Sequence, residues 1–290
     1  MQRLDRRLFL SLTGATGAAM LARPALAAPQ SAEVFTADDA GALVDSVILI
    51  GAQKALLVDA QINVASATAL AAMIAATGRT LETIFITHHH PDHVLGLETL
   101  LARFPQARVL AHRDIVPVIA GSAQGYLDFL TGTAPAGTFA GSVVIPGALE
   151  ADHLLLEGER IEVLPPMHGD TALMTALHVP TLDMLIATDF AYDGTHVWVA
   201  ENTDPADIAK WRDSLTVLEA IGAGTVVPGH RGSVPSGDVF AATRAYLDQW
   251  EAALATTTTK DDLRAAMMAG NDALGLNFAL DSAVAAVFPG

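Results

Sequence analysis

The amino-acid sequence predicts an α/β fold made of two halves that pack sheet to sheet. Apolar segments with the length of strands alternate with segments of helical spacing, and this order occurs twice along the chain. Apolar residues make up 51% of the 290 residues, which is enough for a large core. Because no linker-like composition separates the halves, we expect residues 28–290 to form a single domain.

The predicted elements of the first half follow the order of a βαβ unit. They are two strands within residues 44–59, a helix at 64–76, a strand at 84–87, a helix at 94–104 and a strand at 108–111. Residues 121–147 then turn to Gly, Ser, Thr, Ala and Pro with scattered aromatics. This segment is predicted to be either a lid over a pocket or a long surface connection.

The second half repeats the pattern of strands followed by helices. Its predicted strands lie at residues 160–164, 175–179, 184–187 and 225–227, and its predicted helices at 205–221, 239–255 and 261–268. Each of these strand-like runs contains apolar or β-branched residues, which favour strands.

Composition excludes several classes of function. The formal net charge is −16 with only 16 Lys and Arg in total, so a nucleic-acid partner is not expected. The absence of cysteine excludes disulfides, thiolate ligands and a cysteine nucleophile. A metal site in this chain must therefore be made of histidines and carboxylates.

The first 27 residues have the pattern of an export signal. Arg6 and Arg7 precede an apolar stretch too short to span a bilayer, and the small residues A-L-A end at Ala27. The stretch resembles a twin-arginine signal, with a plain secretory signal as the alternative. We expect it to be cleaved, leaving a periplasmic protein without a stable membrane anchor.

Four of the 10 histidines lie in the segment T-H-H-H-P-D-H at residues 87–93, directly after a predicted strand. His88 and His90 alternate along an extended backbone and point the same way, whereas His89 points away. Asp92 and His93 follow after Pro91 bends the chain. Ligand sites in α/β folds favour this end of a strand, so the cluster predicts a metal site.

The pattern H-x-H-x-D-H at residues 88–93 resembles the signature of the metallo-β-lactamase fold hydrolases. Further motifs of that family follow in order over about residues 40–232. They are Asp59 in L-L-V-D, His168 in P-P-M-H-G-D-T, Asp189 in I-A-T-D-F and His230 in V-V-P-G-H. By the resemblance, Asp59 is a buried aspartate that orders the loops beneath the site.

The resemblance implies a four-layer αββα sandwich of two mixed β-sheets flanked by helices, with two divalent metal ions at the sheet edges. One ion is assigned to His88, His90 and His168, and the other to Asp92, His93 and His230, with Asp189 bridging. Imidazole and carboxylate ligands suit zinc best in this context, and also iron or manganese. A water between two such cations loses a proton near neutral pH and supplies a hydroxide nucleophile.

These implications predict an exported dinuclear metal-dependent hydrolase of an ester, lactone or related acyl bond, acting on a small molecule. Asp92 is the candidate proton shuttle, and Tyr192, three residues after Asp189, is the candidate contact to the substrate carbonyl. In the family a bridging aspartate marks thioesterases and lactonases, whereas true β-lactamases carry Cys or Ser there. The alternatives are a β-lactam hydrolase or an iron-dependent oxidoreductase on the same fold.

Other residues have two open interpretations each. The third motif departs from the family's H-T-x-G-H form, so Asp170 is either a partner that holds a ligand imidazole or a loop cap. His196 and Trp198 are candidates for the pocket wall, and Arg231 for a substrate carboxylate clamp or a surface ion pair. No metal role is expected for His89, and His112, His153 and His178 are expected in ordinary structural positions.

Overall fold

The computed structural model describes residues 31–289, and the predicted export signal lies outside these residues. The strands are β1 (Ser31–Thr36), β2 (Asp45–Ile50), β3 (Lys54–Val58), β4 (Thr80–Ile86), β5 (Arg108–His112), β6 (Gly147–Leu149), β7 (His153–Leu156), β8 (Glu159–Val163), β9 (Leu177–Val179), β10 (Met184–Asp193) and β11 (Thr225–Arg231). The helices are α1 (Val64–Ala76), α2 (Pro91–Val94), α3 (Leu97–Arg103), α4 (Val116–Thr133), α5 (Pro205–Glu219), α6 (Val239–Thr256), α7 (Lys260–Met268) and α8 (Asn277–Val287).

The strands form two mixed sheets, which confirms the predicted α/β class. The first sheet has the order β1-β2-β3-β4-β5-β6, antiparallel from β1 to β3 and parallel from β3 to β6. The second has the order β11-β10-β9-β8-β7, in which only the β10–β11 pair is parallel. One sheet comes from each half of the sequence, as the repeated pattern of strands and helices predicts.

Alternation along the strands produces the four layers. In β2, Val47 and Leu49 belong to the core between the sheets, while Ile48 and Ile50 pack on the other face against helices of the first half. The outer face of the second sheet packs against helices of the second half, with Trp211 and Trp250 fully buried there. Both faces of each central strand are covered, which explains the continuous apolar runs.

The prediction for residues 121–147 as an irregular segment is wrong in its first part, because α4 continues to Thr133. Gly121 and Gly125 weaken the helical signal, since glycine is a poor helix former. The helix is held instead by Ile119, Ala123 and Leu127, which are spaced four residues apart and buried on one face. Tertiary packing therefore overrides local propensity here.

Other differences concern short or terminal elements. Strands β1, β6 and β7 and helix α8 were not predicted, and the predicted helix at residues 94–104 is two shorter helices, α2 and α3. Strand β10 runs ten residues to Asp193, six beyond its predicted end. Among residues 31–289, no helix is long and apolar enough to cross a membrane.

Candidate metal centre and active site

Asp59 lies immediately after β3 and joins two loops at the edge of the first sheet. Its carboxylate accepts hydrogen bonds from the Thr87 backbone N–H at 2.9 Å and from the Thr87 hydroxyl at 2.8 Å. It also contacts His93 Nδ1 at 2.8 Å. The residue is buried and has a φ of 64°, a left-handed conformation of the kind that concentrates at functional sites. This arrangement agrees with the loop-ordering role expected of Asp59.

Three histidines have one ring nitrogen fixed by a neighbour, which leaves the other free to bind a cation. His93 Nδ1 donates to Asp59, and His230 Nδ1 donates to the Ala42 carbonyl at 2.8 Å. His88 Nδ1 lies 3.0 Å from the Thr87 hydroxyl, which itself is held by Asp59. Such partners set the tautomer and orientation of metal-binding imidazoles. The Nε2 atoms of all three therefore face the centre of the site.

Asp189 lies at the middle of the cluster, where β10 departs from regular pairing with β11. The register of that pair shifts between Ile186 and Thr188 and again before Tyr192, and such irregularities redirect side chains. Gly229 on β11 lies so close to Asp189 that a Cβ atom there would collide with its carboxylate. The glycine of the P-G-H motif thus makes room for the central carboxylate.

Asp170 is brought into the same cluster from the loop between β8 and β9. Its carboxylate is fully buried and lies 3.2 Å from His90 Nδ1. Tyr192 donates its hydroxyl to Asp170 Oδ2 at 2.9 Å and stacks on the ring of His230 with the planes 4° apart. The other ring nitrogen of His90 contacts Glu201 Oε1 at 2.8 Å. Asp170 therefore contacts a ligand-type imidazole, as one of its two interpretations expects, and it also belongs to the group of ligand-type atoms itself.

The ligand-type atoms form two adjacent groups within residues 31–289. One group contains His88, His90, Asp170 and Asp189, and the other contains Asp92, His93 and His230, with the atoms of each within 4.8 Å of one another. Asp189 also lies beside the second group, 3.3 Å from His93 Nε2 and 3.2 Å from His230 Nε2. A central carboxylate thus contacts the nitrogen atoms of both groups.

Unsatisfied buried atoms indicate that this cluster fits cations. Among the described residues, the side-chain atoms His88 Nε2, His93 Nε2, Asp170 Oδ1 and Asp189 Oδ1 are buried and have no hydrogen-bond partner. Leaving such atoms unpaired costs about 1–3 kcal/mol each, and more for charged groups. Divalent metal ions would satisfy them, and the His and Asp donors suit zinc, iron or manganese.

The electrostatics support the same conclusion. Burial alone lowers the pKa of His93, but the carboxylates of Asp189 and Asp59 outweigh it and hold that pKa well above its usual range. Burial likewise opposes the charge on His230, yet Asp189 raises the pKa of His230 to about 9. Without metal, the carboxylates are balanced by protons on imidazoles. Metal binding would release those protons, because a ligating histidine must be neutral.

The structure places His168, the predicted third histidine, outside both groups. Its Nε2 lies 2.6 Å from Asn202 Oδ1, and Asn202 also donates to the backbone carbonyls of Gly169 and Asp170. His168 and Asn202 thus hold the loop that presents Asp170. The sequence contained a signal for this: in the H-T-x-G-H form the ligand directly precedes Thr, and Asp170 directly precedes Thr171.

The sequence did not predict Glu201 as part of the site. Its carboxylate lies beside both His89 and His90. The Glu201 carboxylate accepts from the Thr171 hydroxyl at 2.8 Å and contacts His90, and these contacts outweigh burial and lower the pKa of Glu201 to about 2. His89, His90 and Glu201 form a further group of ligand-type atoms. Burial lowers the pKa of His89 to about 4, so its imidazole is neutral. His89 is therefore buried beside the site and does not point into solvent.

A cavity of about 460 Å³ opens onto the cluster. Asp92, Tyr192 and His230 lie on its polar floor, and Asp92 is 3.5 Å from His230 Nε2. The walls include Tyr126 of α4 and Trp198, which confirms Trp198 as a pocket residue. A cavity of this size matches those that bind small molecules.

The remaining candidates lie away from the cavity. Arg231 pairs with the buried Asp45 at 3.1 Å and with Asp193 at 3.6 Å, so it is an ion-pair residue and not a substrate clamp. The prediction of His196 as pocket wall is wrong, because it is buried against the Tyr246 hydroxyl at 3.0 Å. Three other histidines pair with acidic residues outside the site: His112 with Asp114, His153 with Asp152 and His178 with Glu162.

Two mixed sheets between helices, with buried His and Asp groups at one edge above a cavity, define a metal-binding enzyme of the αββα class. The model of the metallo-beta-lactamase superfamily matches residues 40–230. The chain therefore belongs to this superfamily, and its described residues include groups of side chains that could hold metal ions.

Solved structures agree with the fold. A metallo-beta-lactamase family protein from Thermus thermophilus superimposes with a TM-score of 0.54 at 24% identity, over 82% of this chain and 87% of that one. A metallo-beta-lactamase from Pontibacter korlensis gives a TM-score of 0.52 at 18% identity, over 71% and 87%. At these identities the likeness establishes the fold alone.

Curated relatives match only in part. A hydroxyacylglutathione hydrolase from Synechococcus sp. is 42% identical over 71 residues, which is 21% of this chain and 28% of the relative. One from Stenotrophomonas maltophilia is 47% identical over 38 residues, 13% of this chain and 15% of the relative. The matched segments thus span less than a third of either relative.

Proposed function

We propose that the protein is a dinuclear metal-dependent hydrolase of an ester, lactone or related acyl bond. The observation that carries this proposal is the pair of adjacent groups of buried His and Asp atoms that share Asp189 and open onto one cavity. When bound there, two divalent cations polarise a carbonyl and activate water at neutral pH. The partial matches to hydroxyacylglutathione hydrolases support acyl chemistry at this site.

The side chains around the groups have separate tasks in this proposal. His88, His90 and Asp170 would hold one ion, and Asp92, His93 and His230 would hold the other, with Asp189 available to both groups. The distribution of nitrogen and carboxylate donors fits zinc, iron or manganese, with zinc as our first choice. Asp170 thus takes the place that the resemblance assigned to His168.

Asp92 and Tyr192 line the cavity and are the candidates for handling protons. The Asp92 side chain is 13% exposed, so it can exchange a proton between the reacting group and solvent. The Tyr192 hydroxyl already donates its single proton to Asp170. We therefore assign Tyr192 chiefly to positioning Asp170, because contact with a substrate carbonyl would require it to give up that hydrogen bond.

Metal-quantified protein and a substrate panel test the proposal. We expect about two divalent ions per chain and hydrolysis of at least one ester, lactone or thioester. Asp92→Asn should retain metal and lose about 10²- to 10⁴-fold in turnover, the usual contribution of a general acid or base. A metal-loaded protein inert toward the whole panel, β-lactams included, would refute hydrolysis.

An iron-dependent oxidoreductase is a second candidate, favoured by one observation. His88, His90 and Asp170 are two imidazoles and one carboxylate, the ligand set typical of mononuclear non-haem iron. The second group with Asp92, His93 and His230 favours the dinuclear alternative. Elemental analysis separates the two, because one iron per chain supports the oxidoreductase and two ions per chain support the hydrolase.

We also propose that the protein works in the periplasm. Arg6, Arg7 and the following apolar stretch, which lie outside the described residues, support this location. Replacing both arginines by lysine should leave the protein in the cytoplasmic fraction if the twin-arginine route is used. Continued export of that variant would favour the plain secretory signal.

A further inference from the structure

The wall of the cavity is apolar and comes from segments far apart in the sequence. Tyr126, Phe129 and Leu130 of α4 line one part, and Trp198 and Phe278 line another. Phe129 is 68% exposed and Phe278 is 49% exposed. Large apolar side chains left this accessible around a cavity indicate a binding surface for an apolar group.

Apart from His90 and His230, which belong to the ligand-type groups, every residue with a formal charge on the cavity lining is acidic. The acidic residues are Asp39, Asp92, Asp170 and Asp189, and no Lys or Arg lines the cavity in the part of the chain that the structure describes. The nearby Arg231 is committed to Asp45 and Asp193. A carboxylate on the substrate would thus find no Lys or Arg to pair with, and burying an unpaired charge is costly.

The residues proposed as metal ligands also disfavour a negatively charged substrate. Asp92, Asp170 and Asp189 bring three negative charges to the two groups of ligand-type atoms. They balance three of the four positive charges of two divalent cations, so little net charge remains to attract an anion. Asp170 contributes one of these charges at the position where the sequence predicted an imidazole. The same three carboxylates line the cavity, so the composition of the ligand set is the main reason why the cavity disfavours anions.

We propose that the site selects uncharged esters or lactones with an apolar acyl chain and rejects substrates that carry a carboxylate. This inference rests on the proposed hydrolase function and narrows its substrate class. It excludes glutathione thioesters and β-lactam antibiotics as preferred substrates, because both carry carboxylates. The apolar acyl chain would lie against α4 and Phe278, with the carbonyl toward Asp92 and Tyr192.

Matched pairs of probes test charge without changing chain length. For activity, we would compare 4-nitrophenyl hexanoate with the mono-4-nitrophenyl ester of adipic acid, which has the same six carbons and a terminal carboxylate. We expect the hexanoate to have a kcat/KM at least tenfold higher, the loss typical of an unpaired buried charge. From acetate to hexanoate, kcat/KM should rise about fourfold per methylene.

Binding provides a readout that does not depend on turnover. The corresponding 4-nitroanilides should quench the fluorescence of Trp198 on metal-loaded protein, since Trp198 lines the cavity. We expect the hexanoyl anilide to bind at least tenfold more tightly than the adipoyl anilide. In Trp198→Phe the quenching should disappear, which identifies the cavity as the binding site.

A lysine introduced into the cavity wall should reduce or reverse the preference for hexanoyl over adipoyl substrates. Leu130→Lys should raise the ratio of adipoyl to hexanoyl kcat/KM at least tenfold. Phe129→Lys replaces an exposed side chain on the same helix and tests the same point without risk to the fold. Val217→Lys, on the exposed face of α5 outside the cavity, is the matched control and should leave the ratio unchanged.

The outcomes separate this inference from the proposed function. Tighter binding of the hexanoyl anilide without hydrolysis of any ester would support the inference and overturn the hydrolase. Equal or better binding and turnover of the adipoyl compounds by the wild-type protein would overturn the inference. Failure of the hexanoyl anilide to bind, or unchanged ratios in both lysine variants of α4, would overturn it as well.

Discussion

The two groups of ligand-type side chains have the same composition but different supports. Apart from Asp189, each contains two imidazoles and one carboxylate, and Asp189 belongs to the first group but also contacts the histidines of the second. His93 and His230 are held by Asp59 and by a backbone carbonyl, both beneath the site. His90 is held from the side by Glu201, a partly exposed residue on a loop of the second half.

This difference shows how one site can combine a rigid part with an adaptable part. The group with Asp92, His93 and His230 rests on sheet edges and on buried partners, which fix geometry well. The group with His88, His90 and Asp170 depends on a loop held by Asn202. We expect substitutions in the loop partners to affect mainly the group with His88, His90 and Asp170. Substitutions of Asp189 should affect both groups.

Asp189→Ala should have the largest effect because it removes the carboxylate common to both groups. We expect most of the bound metal to be lost and hydrolysis to fall roughly 10³-fold or more, as when an essential catalytic group is removed. Metal content by mass spectrometry and turnover of the best ester measure the two losses. Asp213→Ala, on the exposed side of α5, is the control. Full metal retention in Asp189→Ala would contradict its central position.

Asp170→Ala and His168→Ala form the pair that distinguishes the two candidates for the third ligand. Removal of Asp170 should release about one of two ions, since the other group retains its own ligands. His168→Ala should keep both ions and lose only the stability that its bond to Asn202 contributes, about 1 kcal/mol. If His168→Ala lost an ion and Asp170→Ala did not, the assignment from the structure would be reversed.

The first half of the site was predictable from sequence because its ligands are contiguous. His88 and His90 alternate on an extended segment, and Asp92 and His93 follow one proline, so local geometry alone brings them together. Asp189 lies within β10 and His230 within β11, and the structure places both beside the histidine segment. These two residues were predictable because their motifs match the family pattern that H-x-H-x-D-H indicates.

The loop ligand and the cavity could not be predicted in the same way. His168 and Asp170 are two residues apart, and contacts with distant residues separate them, since His168 bonds to Asn202 and Asp170 contacts His90 and Tyr192. Glu201 contacts His90 from 111 positions away in the chain. The cavity wall combines α4, whose glycines obscured the helix, with α8, which carried no clear signal. Long-range packing, not local pattern, decides these features.

Glu201→Gln tests the hydrogen bond between Glu201 and His90 Nε2. The amide keeps the size of the side chain but removes the charge that favours donation from His90 Nε2. We expect the affinity for one ion to fall about 10- to 100-fold, the range found for partners of ligating histidines. Competition with a chromophoric chelator measures this affinity. The other ion should be unaffected, and equal weakening of both would mean that the groups are not independently supported.

The pH dependence of stability is the smallest predicted effect and distinguishes metal-free from metal-loaded protein. Asp189 raises the pKa of His230 from 6.5 to about 9 in the metal-free fold, against the effect of burial. Because the folded pKa is above the unfolded one, this stabilisation is present below pH 6.5 and is lost as the pH rises through 9. The melting temperature of metal-free protein should fall by roughly 5–10 °C over that interval.

Metal-loaded protein should lack this decline, because a cation replaces the proton on His230 and keeps the imidazole neutral. The His230→Gln variant without metal should also show a flatter profile between pH 6.5 and 9, since the titrating group is gone. A matching decline in metal-free wild-type and His230→Gln protein would mean that other imidazoles, such as His90 and His93, carry the protons that balance the carboxylates. Differential scanning calorimetry at fixed ionic strength measures the melting temperature of each protein against pH. The comparison shows whether His230 or other imidazoles carry the protons that balance the carboxylates.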